Sequence, residues 1–142
     1  MIRVHGTSVA LGGAGVLLRG PSGCGKSDLA LRLIDRGALL VADDQTELRL
    51  DGDDICMRAP AVIAGQLEVR GLGIVRAPSV SAAPLRLVVD LVAPAEVERM
   101  PEPRACALLG RDVPLIALAP FEASAVAKLQ LALRAVAAPA AS

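Results

Sequence analysis

The run Gly20-Pro21-Ser22-Gly23-Cys24-Gly25-Lys26-Ser27 satisfies G-x-x-x-x-G-K-[ST] at every fixed position. In such a run the glycines let backbone N–H groups converge on an anion, and the helix that follows adds the positive potential of its N-terminus. Lys26 can then reach β- and γ-phosphates, and the Ser27 hydroxyl can ligate Mg²⁺. A nucleoside triphosphate is the expected ligand, with residues Gly20 to Ser27 as its cradle. The 15 basic side chains include only two lysines, Lys26 and Lys128, the rest being Arg. A lysine kept at this one position fits a need for a compact ammonium where a forked guanidinium has no room.

Two apolar runs end near carboxylates and compete for the acidic role beside the metal: Leu39-Leu40-Val41-Ala42-Asp43-Asp44 and Leu87-Val88-Val89-Asp90-Leu91. Asp43 and Asp44 follow their run, at the C-terminal end of a strand, where open α/β sheets place their ligands. Asp90 is flanked by apolar residues on both sides and reads as a structural, mid-strand group. Adjacent carboxylates can divide the work, one held towards the metal and one acting as general base on a substrate hydroxyl. His5 is the one histidine, and composition alone gives it no role. Cys24 sits at a free position of the phosphate motif, near a helix N-terminus that can lower a thiol pKa, and reads as a filler.

These groups need a scaffold. Ile2 to Leu11 and Ala14 to Arg19 read as two strands of an opening hairpin around Gly12-Gly13. After the glycine-rich turn, Leu29, Ala30, Leu33 and Ile34 fall at helical spacing in a helix from Ser27 to Arg36 that Gly37 caps. Ala38 to Ala42 reads as a buried strand parallel to the first. Strand-like text follows at Thr46–Leu50, Ile55–Arg58 and 65–71, and Leu85–Val92 and Pro114–Ala119 read as central strands, the second with proline at its start. Residues 94–112, rich in proline and charge, read as a mobile surface loop. A final helix is expected over about Phe121 to Ala137, with Ala125, Leu129, Ala132, Leu133 and Val136 on one face and fraying from Pro139.

Composition narrows the field. The chain has 142 residues, enough for a single domain spanning 1–142, and its 15 basic side chains balance 15 acidic ones. That balance argues against an electrostatic nucleic-acid or membrane-surface binder. Aromatic residues are 1%, a single Phe121, so stacking platforms for RNA are absent. Three cysteines without metal-ligand spacing, and no long apolar span, point to a reducing cytoplasm.

Val4-His5-Gly6-Thr7, Val41-Ala42-Asp43-Asp44 and above all Leu67-Glu68-Val69-Arg70-Gly71-Leu72-Gly73-Ile74-Val75 resemble the catalytic domain of bacterial HPr kinase/phosphorylases, whose signature is E-[IV]-R-G-L-G-I. The resemblance implies an α/β fold of the phosphoenolpyruvate carboxykinase-like P-loop type, with a mixed central sheet, an N-terminal hairpin and flanking helices. It implies an enzyme that uses ATP and Mg²⁺ to phosphorylate a serine of an HPr-type phosphocarrier protein of the sugar phosphotransferase system. By match, His5 is the active-site histidine, Asp44 the proton acceptor, Lys26 the phosphate lysine, and Ser27 with Glu68 the Mg²⁺ ligands. Arg99 corresponds to a mobile-loop arginine on the transferred group, and Asp43, Arg70 and Gly71 stand in support. A homo-oligomer is the expected assembly.

The chain departs from the family in two places. It starts almost at His5, so the family's separate N-terminal domain is expected to be absent. The Arg- and Gly-containing segment that serves dephosphorylation has no counterpart after Pro114, where Leu115-Ile116-Ala117-Leu118-Ala119-Pro120-Phe121 stands instead. Weak phosphorylase activity is therefore expected. The alternatives are a P-loop kinase of a small metabolite and a regulatory module that senses ATP without transferring phosphate. The Asp43-Asp44 pair with Glu68 favours chemistry, because a sensor needs a cradle but no base.

Overall fold

The computed structural model describes residues 1–137; the expected fraying from Pro139 lies outside them. The opening run is interrupted. Gly6 separates β1 (Ile2–His5) from β2 (Thr7–Leu11), and β2 forms the expected hairpin with β3 (Ala14–Arg19) through Gly12 and Gly13, both at positive φ. β1 instead pairs antiparallel with β5 (Gln45–Asp51). The reason is local crowding: a Cβ on Gly6 would lie 2.8 Å from Leu17 Cδ1 and 2.9 Å from the Leu18 carbonyl oxygen. Only glycine lets the chain turn there, from one strand pairing to the next.

Helix α1 (Lys26–Asp35) starts straight from the glycine-rich loop. It ends in a Schellman motif, with Gly37 N–H donating to Ile34 O and Ala38 N–H to Leu33 O, as the glycine after the periodic run predicts. β4 (Leu39–Ala42) follows, but it does not neighbour β3: it pairs antiparallel with β2, which lies between them. The expected parallel relation to the first strand is not found: β4 is antiparallel to β2 and runs in the direction of β3 alone, which it does not neighbour. β5 and β6 (Asp54–Arg58) form a second hairpin, and β7 (Gln66–Val69) and β8 (Gly73–Arg76) form a separate two-stranded sheet.

β9 (Ala83–Leu91) is the central strand. It pairs antiparallel with β6 at its start, and parallel with β3 and with β11 (Arg111–Leu118) further along, so the sheet curls. A bulge between Gly15 and Val16 skips Arg86, which turns Leu85 and Leu87 to opposite faces. One face packs Leu87, Val89, Val16 and Leu18 against Leu29 and Leu33 of α1 and Leu129 of α2 (Ala125–Ala137). The other face buries Leu17, Val88, Leu85 and Met57. Helix α2 begins four residues later than expected; its buried stripe is Ala125, Val126, Leu129 and Leu133, while Val136 is exposed.

The segment 94–112 differs most from its reading as a loop. Pro94–Glu96 form a 3₁₀ turn, and β10 (Arg104–Leu108) pairs with β11 across Leu109 and Gly110, both at positive φ. Two consecutive positive-φ residues make the tight turn that suits strand twist, here in Leu-Gly rather than the usual Asn-Gly. Pro114 lies inside β11, not at its start. It is tolerated because at that point β11 has only β10 beside it, and the pairing with β9 begins at Leu115. No helix among the described residues is long and apolar enough to cross a membrane.

Because β4 runs in the direction of β3, the C-terminal ends of β3, β4, β9 and β11 all lie at one end of the sheet. The glycine-rich loop, Asp43-Asp44, the segment after β9 and the segment carrying Phe121 emerge there together.

Candidate active site

The loop is built from residues that can enter left-handed backbone space. Gly23 and Gly25 have φ of 81° and 106°, and Gly25 caps α1. Cys24 N–H donates to Pro21 O at 3.1 Å, which closes the turn. The Cys24 sulfur packs against Gly20, where a Cβ would lie 2.5 Å from it. Lys26, only 6% exposed, folds back over the loop and donates to Gly20 O at 2.7 Å and Pro21 O at 3.1 Å. Its ammonium thus rests on two carbonyl dipoles, with no carboxylate partner among the described residues.

Beneath the loop β3 is tied to β9 by Arg19, which forks onto Asp90 at 2.8 and 3.1 Å and also reaches Cys106 Sγ at 3.3 Å. The hydrogen bonds to Asp90 raise the guanidinium pKa above its ordinary value, so this brace stays charged. Asp90 has the structural role its mid-strand position indicates.

Asp43, 8% exposed, is a hub. Its Oδ1 accepts from Ser27 Oγ at 2.7 Å and Thr7 Oγ1 at 2.9 Å, and its Oδ2 accepts from the Glu68 N–H at 3.0 Å. One carboxylate therefore joins β2, the start of α1 and β7. Hydrogen bonds to a charged group contribute about 1.5–3 kcal/mol each, and orphaning the buried donors costs more. Asp43→Ala is expected to lower stability by about 3 kcal/mol or more, read as a fall in the denaturant midpoint at constant m-value.

Asp44 is held in an uncommon conformation. Its φ is 67°, and Gln45 N–H donates to Asp43 O at 2.7 Å, a γ-turn of the strained positive-φ form centred on Asp44. Its N–H donates to Thr7 Oγ1 at 3.1 Å, and its carbonyl accepts from Gly6 N–H at 2.9 Å. The carboxylate is thereby thrust outwards, 63% exposed, and meets His5 Nε2 at 2.8 Å. Under it Thr46 Oγ1 donates to Gly6 O at 3.0 Å and lies 2.9 Å from Ser8 Oγ, in a fully buried polar layer that fixes the β1–β2 joint. Sequence reasoning gave no separate role to Thr7, Ser8 or Thr46. The available signal was small hydroxyl side chains near strand starts, Thr7 and Ser8 ahead of the apolar run of β2 and Thr46 second in the largely polar β5.

The structure brings His5, Ser27, Asp43, Asp44 and the backbone of Glu68 into one cluster beside Lys26. Glu68 is exposed on β7, next to the hub. Arg70 and Gly71 lie in the β7–β8 turn, where Gly71 has φ of 93° and Leu72 N–H donates to Val69 O. Arg99 is exposed in the segment between β9 and β10. No hydrogen bond links Arg70, Gly71 or Arg99 to the Asp44 pair among the described residues.

No group of three His, Cys, Asp or Glu side chains among the described residues could hold a metal by itself. Mg²⁺ is usually held by one or two protein oxygens together with water and phosphate oxygens. Ser27 Oγ keeps its acceptor lone pairs while donating to Asp43, and the Glu68 carboxylate has no hydrogen-bond partner among the described residues, so both fit that ion. Asp43 already accepts three hydrogen bonds, which suits it to orienting Ser27 rather than binding metal directly.

The sequence matches the HPr Serine kinase C-terminal domain family over residues 1–117. It is 49% identical over 76 residues to the HPr kinase/phosphorylase of an Exiguobacterium species, covering 53% of this chain and 24% of that protein. It is 42% identical over 95 residues to that of Alkaliphilus metalliredigens, covering 64% and 31%. The chain thus spans about a quarter to a third of the curated relatives it matches. The solved Hpr(Ser) kinase/phosphatase from Coxiella burnetii is similar with a TM-score of 0.82 at 28% identity, over 94% of this chain and 88% of that one. With the mixed, curled sheet and the family match over residues 1–117, the chain belongs to the HPr serine kinase C-terminal domain family.

Proposed function

We propose that this chain transfers the γ-phosphoryl group of ATP to a serine hydroxyl of an HPr-type phosphocarrier protein, with Mg²⁺ as cofactor. The observation that carries the reading is the exposed Asp44 carboxylate, fixed by a strained turn and by His5 at 2.8 Å, beside the Ser27–Asp43 pair at the head of α1. A binding module has no use for a strained, outward carboxylate there; a phosphotransferase needs one. The family match favours neither a small-metabolite kinase nor an ATP sensor.

In this reading the backbone of Gly20–Gly25 and the N-terminus of α1 hold the triphosphate, and Lys26 exchanges its carbonyl partners for β- and γ-phosphate oxygens. Ser27 and Glu68 hold Mg²⁺, which supplies charge neutralisation on the phosphate oxygens. The serine hydroxyl gives its proton to Asp44 as its oxygen bonds to the γ-phosphorus, and the bond to the β-phosphate oxygen breaks, releasing ADP. His5 keeps the Asp44 carboxylate aimed at the hydroxyl. Arg99 reaches the transferred group when the segment between β9 and β10 moves inwards, stabilising charge in a loose transition state. The setting is cytoplasmic and the assembly a homo-oligomer.

The test is γ-labelled ATP with Mg²⁺ and three acceptors: an HPr-type protein, a pool of small metabolites, and none. Label on the protein alone is the expected result; label on a metabolite, or ATP binding without transfer, contradicts it.

The reverse reaction should be poor. Inorganic phosphate must then be held as nucleophile, and the second half of β11 with the three residues after it, Leu115 to Phe121, is an apolar run where the resemblance places the family's Arg- and Gly-containing segment. Losing one charge-assisted hydrogen bond, about 1.5–3 kcal/mol, lowers phosphate occupancy about ten-fold or more. Serine-phosphorylated HPr with millimolar phosphate and Mg²⁺ is expected to release pyrophosphate at least about ten-fold more slowly than the forward reaction proceeds. Equal rates would show that the segment is dispensable.

A further inference from the structure

We infer that Phe121 is the stacking surface for the base of the bound nucleotide, a reading that rests on the phosphate cradle proposed above. Phe121 is the sole aromatic side chain of the protein and is 70% exposed. The distal end of its ring packs against the cradle: a Cβ on Gly25 would sit 2.8 Å from Phe121 Cζ and within 3.3 Å of both Cε atoms. The segment that carries it is anchored, because Arg32 of α1 donates to the Pro120 carbonyl while also pairing with Asp28.

The sheet order decides which end of the nucleotide Phe121 meets. Strands run β4-β2-β3-β9-β11, so Asp43 and Asp44 emerge after β4 on one side of the glycine-rich loop, and Phe121 after β11 on the other. A triphosphate whose γ end lies towards Asp44 must direct its nucleoside end towards Phe121. There the groove is open. Asp28, Arg32, Asp35, Arg36, Phe121 and Glu122 line a cleft of about 420 Å³ along α1, starting one residue after Ser27. A flat base can cover the ring, with the carboxylates and guanidiniums of the cleft as hydrogen-bonding partners for its edge.

The test compares ATP with inorganic tripolyphosphate, each with Mg²⁺, on the 142-residue chain. Stacking on an aromatic side chain is worth about five- to 150-fold in affinity. Phe121→Ala should weaken ATP by that factor and leave tripolyphosphate unchanged. Phe121→Leu, which still packs on Gly25 but has no π-face, should also weaken ATP selectively. Phe121→Trp should retain ATP affinity, and its emission, the sole tryptophan signal, should respond to ATP and not to tripolyphosphate. The inference is overturned if Phe121→Leu binds ATP as the wild type does, or if Phe121→Ala weakens both ligands equally, which would make the ring a prop for the loop. Selective failure of these variants leaves the cradle reading standing, whereas a wild-type chain that binds neither ligand refutes the cradle and Phe121 together.

Discussion

Asp44→Asn is expected to lower phosphoryl transfer about 100- to 10,000-fold while leaving ATP affinity within about two-fold, because general-base catalysis is worth that much and the carboxylate touches no part of the cradle. The substitution is chosen for the backbone. Asp44 sits at φ 67°, and asparagine tolerates left-handed conformation about as well as aspartate, so the γ-turn persists and only the proton acceptor is lost. The side-chain oxygen of asparagine can still meet His5, which separates loss of the base from loss of position. A split between kcat and the ATP dissociation constant reads the effect. If Asp43→Asn proves inactive with its fold intact and Asp44→Asn works normally, the roles of the two carboxylates are reversed.

Lys26→Ala is expected to remove nucleotide binding. Lys26 is 6% exposed as a residue, and among the described residues its ammonium is satisfied by the carbonyls of Gly20 and Pro21, so a phosphate that takes their place meets a pre-positioned cation. Truncating one partner of such a buried charge pair costs about 2–5 kcal/mol, or from about 30-fold to several thousand-fold in affinity. Lys26→Arg should fail too, because a planar guanidinium fork does not reproduce the compact ammonium that the Gly20 and Pro21 carbonyls hold. Wild-type affinity of Lys26→Ala in a titration with ATP and Mg²⁺ would refute the cradle.

What was legible in the sequence is what is contiguous in it. The phosphate motif, the helix after it and its glycine cap occupy one stretch, and the Asp43-Asp44 pair stands at a strand end that an apolar run announces. The hub around Asp43 is different in kind: Thr7, Ser27 and Glu68 come from three elements, separated from Asp43 by 36, 16 and 25 positions. No periodicity links such residues. His5 reached the site through the resemblance alone, 39 residues from its partner. The strand break at Gly6 was hidden because its cause, contact with Leu17 and the Leu18 carbonyl, is tertiary. The β10–β11 hairpin was masked by proline and charge, which mark loops in general but are also what exposed edge strands carry.

The most direct test is to map the phosphate on an HPr-type protein by mass spectrometry after incubation with ATP, Mg²⁺ and either the wild-type chain or Asp44→Asn. Phosphate on a serine with the wild type, and little or none with Asp44→Asn over the same interval, is the predicted result. No phosphoserine with the wild type, or equal modification by both proteins, would contradict the account.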